Sequence, residues 1–357
     1  MNENTDSLSA NVVVKRRLWT EYIGYLMTPG NFLAETFPLL ASLPDFLTPW
    51  KVEVRERGNV EAAHNISLVN TVKADISLAL KNGTETPSNL TKLMLQWKDT
   101  GAKGMDFLTE RWFAAVPGGL FGAGSDTSAA TLSSTILALV AYPHILSTLQ
   151  SELDAILPIS SPSARSPTLS DREQGTLPYL TALITETLRW RPATPFGIPH
   201  ATSEADSYNG FYIPPKTTVI ANSWALNNNP LYFPSPSSFS PERYLPKSDR
   251  RYMPELAGEE FPGKYKQSAF GWGRRQCAGA ELAVSSMWIL IGKLCWAFEI
   301  LPVEGEVYDV DAFVGGFVSR PKPFGVQISI RSEAHQQVLE REMEEAGEYL
   351  EIFPPFD

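Results

Sequence analysis

Apolar positions recur at helical spacing over most of this chain, and proline and glycine cut the pattern into segments. Residues 12–27 (VVVKRRLWTEYIGYLM) carry a weak helical period that stops at Pro29-Gly30. Residues 37–50 set three prolines after Phe37 among large apolar side chains, which reads as an irregular segment covering a pocket. Helical spacing returns over 51–80 and ends in a polar break, Asn82–Asn89, holding Gly83 and Pro87. A long helical pattern then runs from Asp106 to Tyr142. Its middle holds Pro117, Gly118, Gly119, Gly122 and Gly124, followed by Ser125-Asp126-Thr127-Ser128. By propensity those residues disfavour a helix strongly. Either the helix starts or breaks at Pro117, or the small residues admit a large flat ligand and tertiary contacts offset the cost.

Pro143–Leu157 reads as an amphipathic helix and Pro158–Thr168 as a Ser/Pro loop. Ser170-x-x-Glu173 has the form of a capping box. Pro178 suits the first turn of the next helix, with Leu180, Leu183, Ile184 and Leu188 on one face. Residues 208–222 read as a β-hairpin whose apolar runs flank Pro214-Pro215-Lys216. The run 278–298 is apolar almost all round. Ala283–Leu301 has the length of a membrane span, but Lys293 and Glu299 within it favour a buried core helix. Phe313–Ile330 reads as strands around a Gly315-Gly316 turn, and residues 332–350 as an acidic, exposed helix. No repeat or linker intervenes, so one domain over 1–331 with an acidic tail, 332–357, is expected.

Composition narrows the class. The 43% hydrophobic and 20% charged fractions are those of a globular chain. A net charge of −10 argues against general nucleic-acid binding. Two cysteines in 357 residues make no disulfide framework and suit a reducing compartment. The first residues, MNENTDSLSAN, lack the apolar core of a signal peptide, so the sequons at Asn65, Asn82 and Asn89 read as ordinary surface residues.

Candidate chemistry gathers at Phe270-Gly-Trp-Gly273-Arg-Arg275-Gln-Cys277-Ala-Gly279. Phe, Gly, Arg, Cys and Gly stand at fixed offsets there, a coincidence expected on the order of once in millions of windows. Neighbouring cations and a following helix N-terminus both stabilise a thiolate. If Cys277 opens a helix that includes Cys295, the two lie about 27 Å apart, too far for a disulfide. Glu186 and Arg189, at i and i+3, would alone be a solvated pair of little worth. A third residue, Arg243 in Phe239-Ser-Pro241-Glu-Arg243-Tyr244, suggests more. His200 follows Pro195-Phe-Gly-Ile-Pro199.

In this order the motifs resemble those of the cytochrome P-450 (haem-thiolate monooxygenase) family, over roughly Val12 to Ile330 and most strongly from Phe121 onward. The Cys277 loop is similar to the family's cysteine-ligand loop. Ala123–Ser128 matches its Ala/Gly-Gly-x-Asp/Glu-Thr-Thr/Ser pattern, and Glu186-x-x-Arg189 with Arg243 its buried charge network. The resemblance implies a mainly α fold with small β-sheets and a haem b cofactor bound through Cys277, the one protein ligand to the metal. Arg275 and His200 would reach propionates, Phe270 would pack on the loop, and Gly273 and Gly279 would allow close approach and helix start. Asp126 and Thr127 would be the catalytic proton relay. Phe121, Ala123, Thr194, Phe196 and Val318 would line the substrate pocket. Electrons would come from NADPH through a flavin-containing reductase, docked on Lys264, Lys266, Arg274 and Arg275. The product would be a small lipophilic substrate carrying one atom of O2. Leu177–Trp224 looks like fungal members engaged in secondary metabolism.

One departure stands at the front. The family's membrane anchor, first strands and a helix contacting the second propionate have no counterpart, so the expected fold is that of a cytochrome P-450 lacking its N-terminal part. That implies exposed apolar area and an unpaired sheet edge. It also implies a cytoplasmic or peripheral location in place of the family's endoplasmic reticulum membrane. Two classes of function follow: a working monooxygenase, or a non-catalytic remnant that cannot form a complete haem site. A redox-thiol protein built on Cys277 would explain neither Asp126-Thr127 nor Glu186/Arg189.

Overall fold

The computed structural model describes residues 12–28 and 30–350; the polar stretch 1–11 and the end of the acidic tail lie outside the described residues. The chain divides into two compact units, one running to Asp126 and taking in residues from Glu344, the other Thr127–Met343.

The first unit holds α1 (Val12–Met27), α2 (Leu33–Thr36), α3 (Pro49–Asn82), α4 (Leu90–Asp99) and the first half of α5 (Glu110–Ala141). The proline-rich stretch expected to be irregular forms two 3₁₀ turns, Pro38–Ser42 and Asp45–Leu47, with Leu39 and Phe46 each 83% exposed. Gly83 ends α3 in the left-handed conformation, and the Asn89 side chain caps α4 by accepting from Lys92 N–H. The unit's core is small: Val69, Met94, Met105, Phe113 and Ala114.

Pro117 lies inside α5, which runs on without a break. Close packing accounts for one of its glycines. A Cβ at Gly118 would overlap the amide of Asn65 on α3, 2.7 Å from its Cγ. Asn65 is accordingly buried, contrary to the surface placement expected of its sequon.

The second unit carries most of the core. It holds the rest of α5, α6 (Pro143–Ile156), α7 (Leu169–Gln174), α8 (Pro178–Trp190), α9 (Ser223–Asn227), α10 (Ala280–Ala297) and most of α11 (Glu333–Leu350). Helices α6, α8 and α10 bury Leu149, Leu153, Leu180, Leu183, Trp190, Trp288 and Trp296 together. Gly292 makes this close: a Cβ there would stand 2.9 Å from Leu180 Cδ2. Buried Glu152 of α6 accepts from the first N–H groups of α8, at Tyr179 (3.0 Å) and Leu180 (3.2 Å), which otherwise have no partner at a helix start.

Four two-stranded antiparallel sheets complete the unit: β1 (His200–Ala201) with β4 (Thr218–Val219), β2 (Asp206–Tyr208) with β3 (Phe211–Ile213), β5 (Phe298–Leu301) with β8 (Gln327–Ile330), and β6 (Phe313–Val314) with β7 (Arg320–Pro321). The hairpin expected around Pro214-Pro215-Lys216 is centred instead on Asn209-Gly210, both at positive φ, as a tight two-residue turn requires. The capping box also shifts by two residues. Thr168 and Asp171 form it, and Ser170 and Glu173 do not.

The apolar run 283–301 splits into α10 and strand β5. Among the described residues α10 alone is by itself long and apolar enough to cross a membrane; Trp288, Cys295 and Trp296 on it are fully buried. The acidic helix α11 is docked where exposure was expected. It buries His335 and Val338, and Glu342 pairs with Lys293 at 2.8 Å and accepts from Ser166 N–H.

Candidate functional site

The Cys277 loop is shaped by its backbone. Phe270 is buried against Tyr265, ring centroids 4.8 Å apart, and its carbonyl accepts from Cys277 N–H at 2.9 Å. Between them Gly271 and Gly273 both take φ +65°, which side chains other than hydrogen rarely tolerate, and Gly273–Arg275 forms a 3₁₀ turn. Gly279 caps α10 at an ordinary φ of −91°. The loop thus turns on Gly271 and Gly273, and presents an exposed thiol just before the N-terminus of α10. The other thiol, Cys295, is fully buried, and burial pushes it up to about 12.

Glu281, in the first turn of α10, ties the loop to the helix. It accepts from Lys264 and Tyr265 and pairs with Arg172. The Lys264 hydrogen bond foremost, then Tyr265 and Arg172, hold its carboxyl at about 2. Of the basic residues expected to form a docking face, Lys264 is therefore already paired. Lys266, Arg274 and Arg275 are exposed.

Beside the loop lies the charge network. Arg189 grips Glu186 bidentately, Nε to Oε2 and Nη2 to Oε1 at 2.7 Å each, and both side chains are fully buried. Arg243 Nε adds a third contact to Oε1 at 3.2 Å, and Ser240 N–H a fourth at 2.9 Å. The remaining Arg189 N–H groups donate to the carbonyls of Asn227, Pro236 and Ser238. Burial opposes the Arg189 charge, but the Glu186 carboxylate outweighs it and the guanidinium's pKa is raised.

Sequence reasoning missed the link between network and loop. Asn227, fully buried at the end of α9, donates to the Arg189 carbonyl (3.0 Å) and accepts from Ser268, two residues before Phe270. Nothing in Asn227-Asn228-Asn229-Pro230 sets it apart from ordinary turn residues.

The other sequence candidates fall in two places. Phe121, Ala123 and Asp126 lie on the first-unit part of α5, with Phe121 and Ala123 exposed and Asp126 half-buried; Thr127, also half-buried, follows in the second unit. His200 is exposed on β1, opposite Val219. Thr194 and Val318 are half-buried and Phe196 is 55% exposed. Ser319 N–H donates to the Ala193 carbonyl at 2.8 Å, which brings the segments carrying Thr194 and Val318 side by side.

Residues 27–328 match the family model described as Cytochrome P450. The chain belongs to the cytochrome P450 family. Among relatives of this cytochrome P450, Cytochrome P450 monooxygenase 79 of Postia placenta is 32% identical over 338 residues, covering 88% of this chain and 57% of the relative. A cytochrome P450 monooxygenase of Armillaria gallica is 33% identical, with 89% and 59% covered. Cytochrome P450 monooxygenase claR of Ampulloclitocybe clavipes is 33% identical, with 88% and 55% covered. A zebrafish cytochrome P450 solved with progesterone superimposes with a TM-score of 0.59 at 27% identity, over 74% of this chain and 57% of that one. The mainly helical fold with small sheets is the cytochrome P450 fold. The chain spans a little over half the length of these curated relatives.

The donor set suits a haem. Among the described residues no group of three or more His, Cys, Asp or Glu could hold a bare metal ion. One exposed thiol fits a metal that brings its other ligands with it, as a haem iron does.

Proposed function

We propose that this chain is the haem-thiolate part of a fungal monooxygenase that inserts one oxygen atom of O2 into a small lipophilic substrate, in secondary metabolism. The observation that carries the reading is the Cys277 thiol, exposed on a loop turned by Gly271 and Gly273 before the N-terminus of α10. The fungal relatives named as monooxygenases support it.

Cys277 would hold haem b, with Arg275 and His200 as partners for its propionates and Phe270 fixing the loop from behind. Bound there, the haem would supply oxygen activation, which a thiolate ligand favours by making the iron electron-rich. Asp126 and Thr127 would hold and pass protons, a general-acid role. Within the second unit, Thr194, Phe196 and Val318 would face the substrate, Phe196 and Val318 with apolar surface. Arg274 and Lys266 are exposed cations that suit an acidic surface, such as that of a flavin-containing reductase fed by NADPH.

The test is spectroscopic. The purified, haem-supplied chain is reduced under carbon monoxide, and the red-shifted absorption band of thiolate ligation is expected. Cys277→Ser should abolish it while Cys295→Ser keeps it. No band from the unaltered chain, or a band that survives Cys277→Ser, overturns the reading.

A further inference from the structure

Arg191 directly follows α8 and is buried, yet it belongs neither to the charge network nor to the Cys277 loop. Its guanidinium lies 4.1 Å from the Trp190 ring centroid, 5.2 Å from that of Trp224 and 5.1 Å from that of Phe313. At its edge, Nη2 donates to the Val310 carbonyl at 2.7 Å and to Asp311 Oδ1 at 2.6 Å, and Nη1 donates to the Trp190 carbonyl. Three stretches distant in sequence thus meet on one side chain.

Two of these stretches tie to the segment just beyond Arg191: Trp224 directly, and Phe313 through its hairpin partner. Trp224 N–H donates to the Pro195 carbonyl at 2.9 Å. Phe313 begins β6, which pairs with β7 at Val314↔Arg320 and Phe313↔Pro321. Just before β7, Ser319 N–H donates to the Ala193 carbonyl. The segment carrying Thr194 and Phe196 is therefore gripped from both sides, and both grips rest on the rings and carbonyl that Arg191 holds.

We infer that Arg191 is a positioning residue that sets the register of the 193–197 segment against the β6–β7 hairpin, and through it decides which lipophilic ligands fit between Thr194, Phe196 and Val318. The selectivity half rests on the function proposed above; the register half does not. A planar guanidinium can face aromatic rings while donating in its own plane, which a lysine ammonium cannot do. Arg191→Lys keeps the charge and loses the clamp.

The experiment compares the unaltered chain with Arg191→Lys and with Arg331→Lys, a second well-bonded arginine that pairs with Asp154 at 2.7 Å away from this cluster. Amide hydrogen exchange reads peptides containing Trp224 and Ser319, with α8 and α10 as core references. Arg191→Lys should speed exchange at both peptides by about tenfold while α8 and α10 stay protected, a local opening of the kind that exchange resolves. Arg331→Lys should leave those peptides unchanged. Unchanged exchange in Arg191→Lys, or a uniform rise that includes α8 and α10, overturns the register half. Titration of a panel of lipophilic ligands, followed by the haem absorption shift, should change their affinity order in Arg191→Lys at equal haem content; a parallel weakening of all of them overturns the selectivity half. A chain that takes up no haem overturns the functional reading and the selectivity half together, while exchange still decides the register half.

Discussion

Asn227 Oδ1 accepts twice from Ser268, from its N–H at 2.9 Å and from its hydroxyl at 2.7 Å. The same side chain donates to the Arg189 carbonyl at 3.0 Å, so one buried amide joins the end of α8 to the start of the cysteine loop. Asn227→Ala leaves the Ser268 N–H and the Arg189 carbonyl without this partner in a site that water does not reach, while the Ser268 hydroxyl keeps the Ser223 carbonyl at 3.2 Å. At about 1–3 kcal/mol for a buried unsatisfied group, the loss should be about 3 kcal/mol or more. Urea unfolding measures it. A change under about 0.5 kcal/mol, the ordinary range for surface substitutions, would mean that the amide carries no such tie.

Glu186 sits at the centre of two guanidinium contacts with no exposure at all. Glu186→Ala would leave Arg189 charged and buried without its carboxylate, held by backbone carbonyls alone, at a cost of about 3–5 kcal/mol. Replacing Arg189 by Lys should cost nearly as much, because a single ammonium cannot supply the bidentate grip and the three carbonyl bonds together. Thermal unfolding of both variants checks this. A lysine variant as stable as the unaltered chain would show that charge alone suffices.

Much of this was legible because it is written in local signals. The Cys277 loop, Glu186-x-x-Arg189 and the helix starts at Pro143 and Pro178 depend on residues close together in sequence. The misses have physical reasons. Ser170-x-x-Glu173 has the letters of a capping box, but Asp171 is drawn to Thr168 and Arg165, so the helix starts earlier. The apolar run 211–213 and the β-branched run 217–220 look like paired strands about Pro214-Pro215-Lys216, whereas the chain turns at Asn209-Gly210, itself a tight-turn pair. Asn227 and Arg191 could not be singled out, since their partners lie about 40 to 120 residues away. Docking of α11 was hidden for the same reason: its acidic face gives no hint that Lys293 and Ser166 await Glu342.

Asp171 should make the fold acid-sensitive over a defined window. Hydrogen bonds from Arg165 foremost, then from Thr168, hold its carboxyl at about 2 against an ordinary 3.8. A carboxyl lowered in the folded state stabilises the fold above its unfolded value and loses that contribution as the pH falls towards the folded one. The contribution of about 2 kcal/mol should therefore vanish between about pH 4 and pH 2. Asp171→Asn should lower stability at pH 7 and flatten the curve in that window. An unchanged slope would assign the acid sensitivity to other carboxylates.

His335 should add a second, milder window. Burial first, and then the Arg331 charge, lower its pKa from 6.5, and its Nε2 has no hydrogen-bond partner. A base held neutral by folding makes no difference above its unfolded pKa, where both states are neutral, and costs stability as the pH falls below about 6.5 and only the unfolded chain takes up the proton. His335→Gln should remove this slope from a urea-unfolding series run between pH 7 and pH 5. Persistence of the slope would exclude His335 as its source.

The glycines of α5 offer a test in which two effects oppose each other. Alanine is favoured over glycine in a helix by about 1 kcal/mol. At Gly119 a Cβ meets nothing within 4 Å, so Gly119→Ala should stabilise the chain by roughly that amount. At Gly118 the new methyl would overlap the Asn65 amide, with Cγ at 2.7 Å and Nδ2 at 2.9 Å, and Asn65 is itself buried and cannot swing into solvent. Overpacking of this kind costs about 1–3 kcal/mol, which exceeds the propensity gain. Gly118→Ala should therefore destabilise while its neighbour stabilises, a difference of sign that paired thermal melts resolve. Two melts shifted upward together would show that Asn65 yields and that α3 and α5 do not depend on the small residue between them.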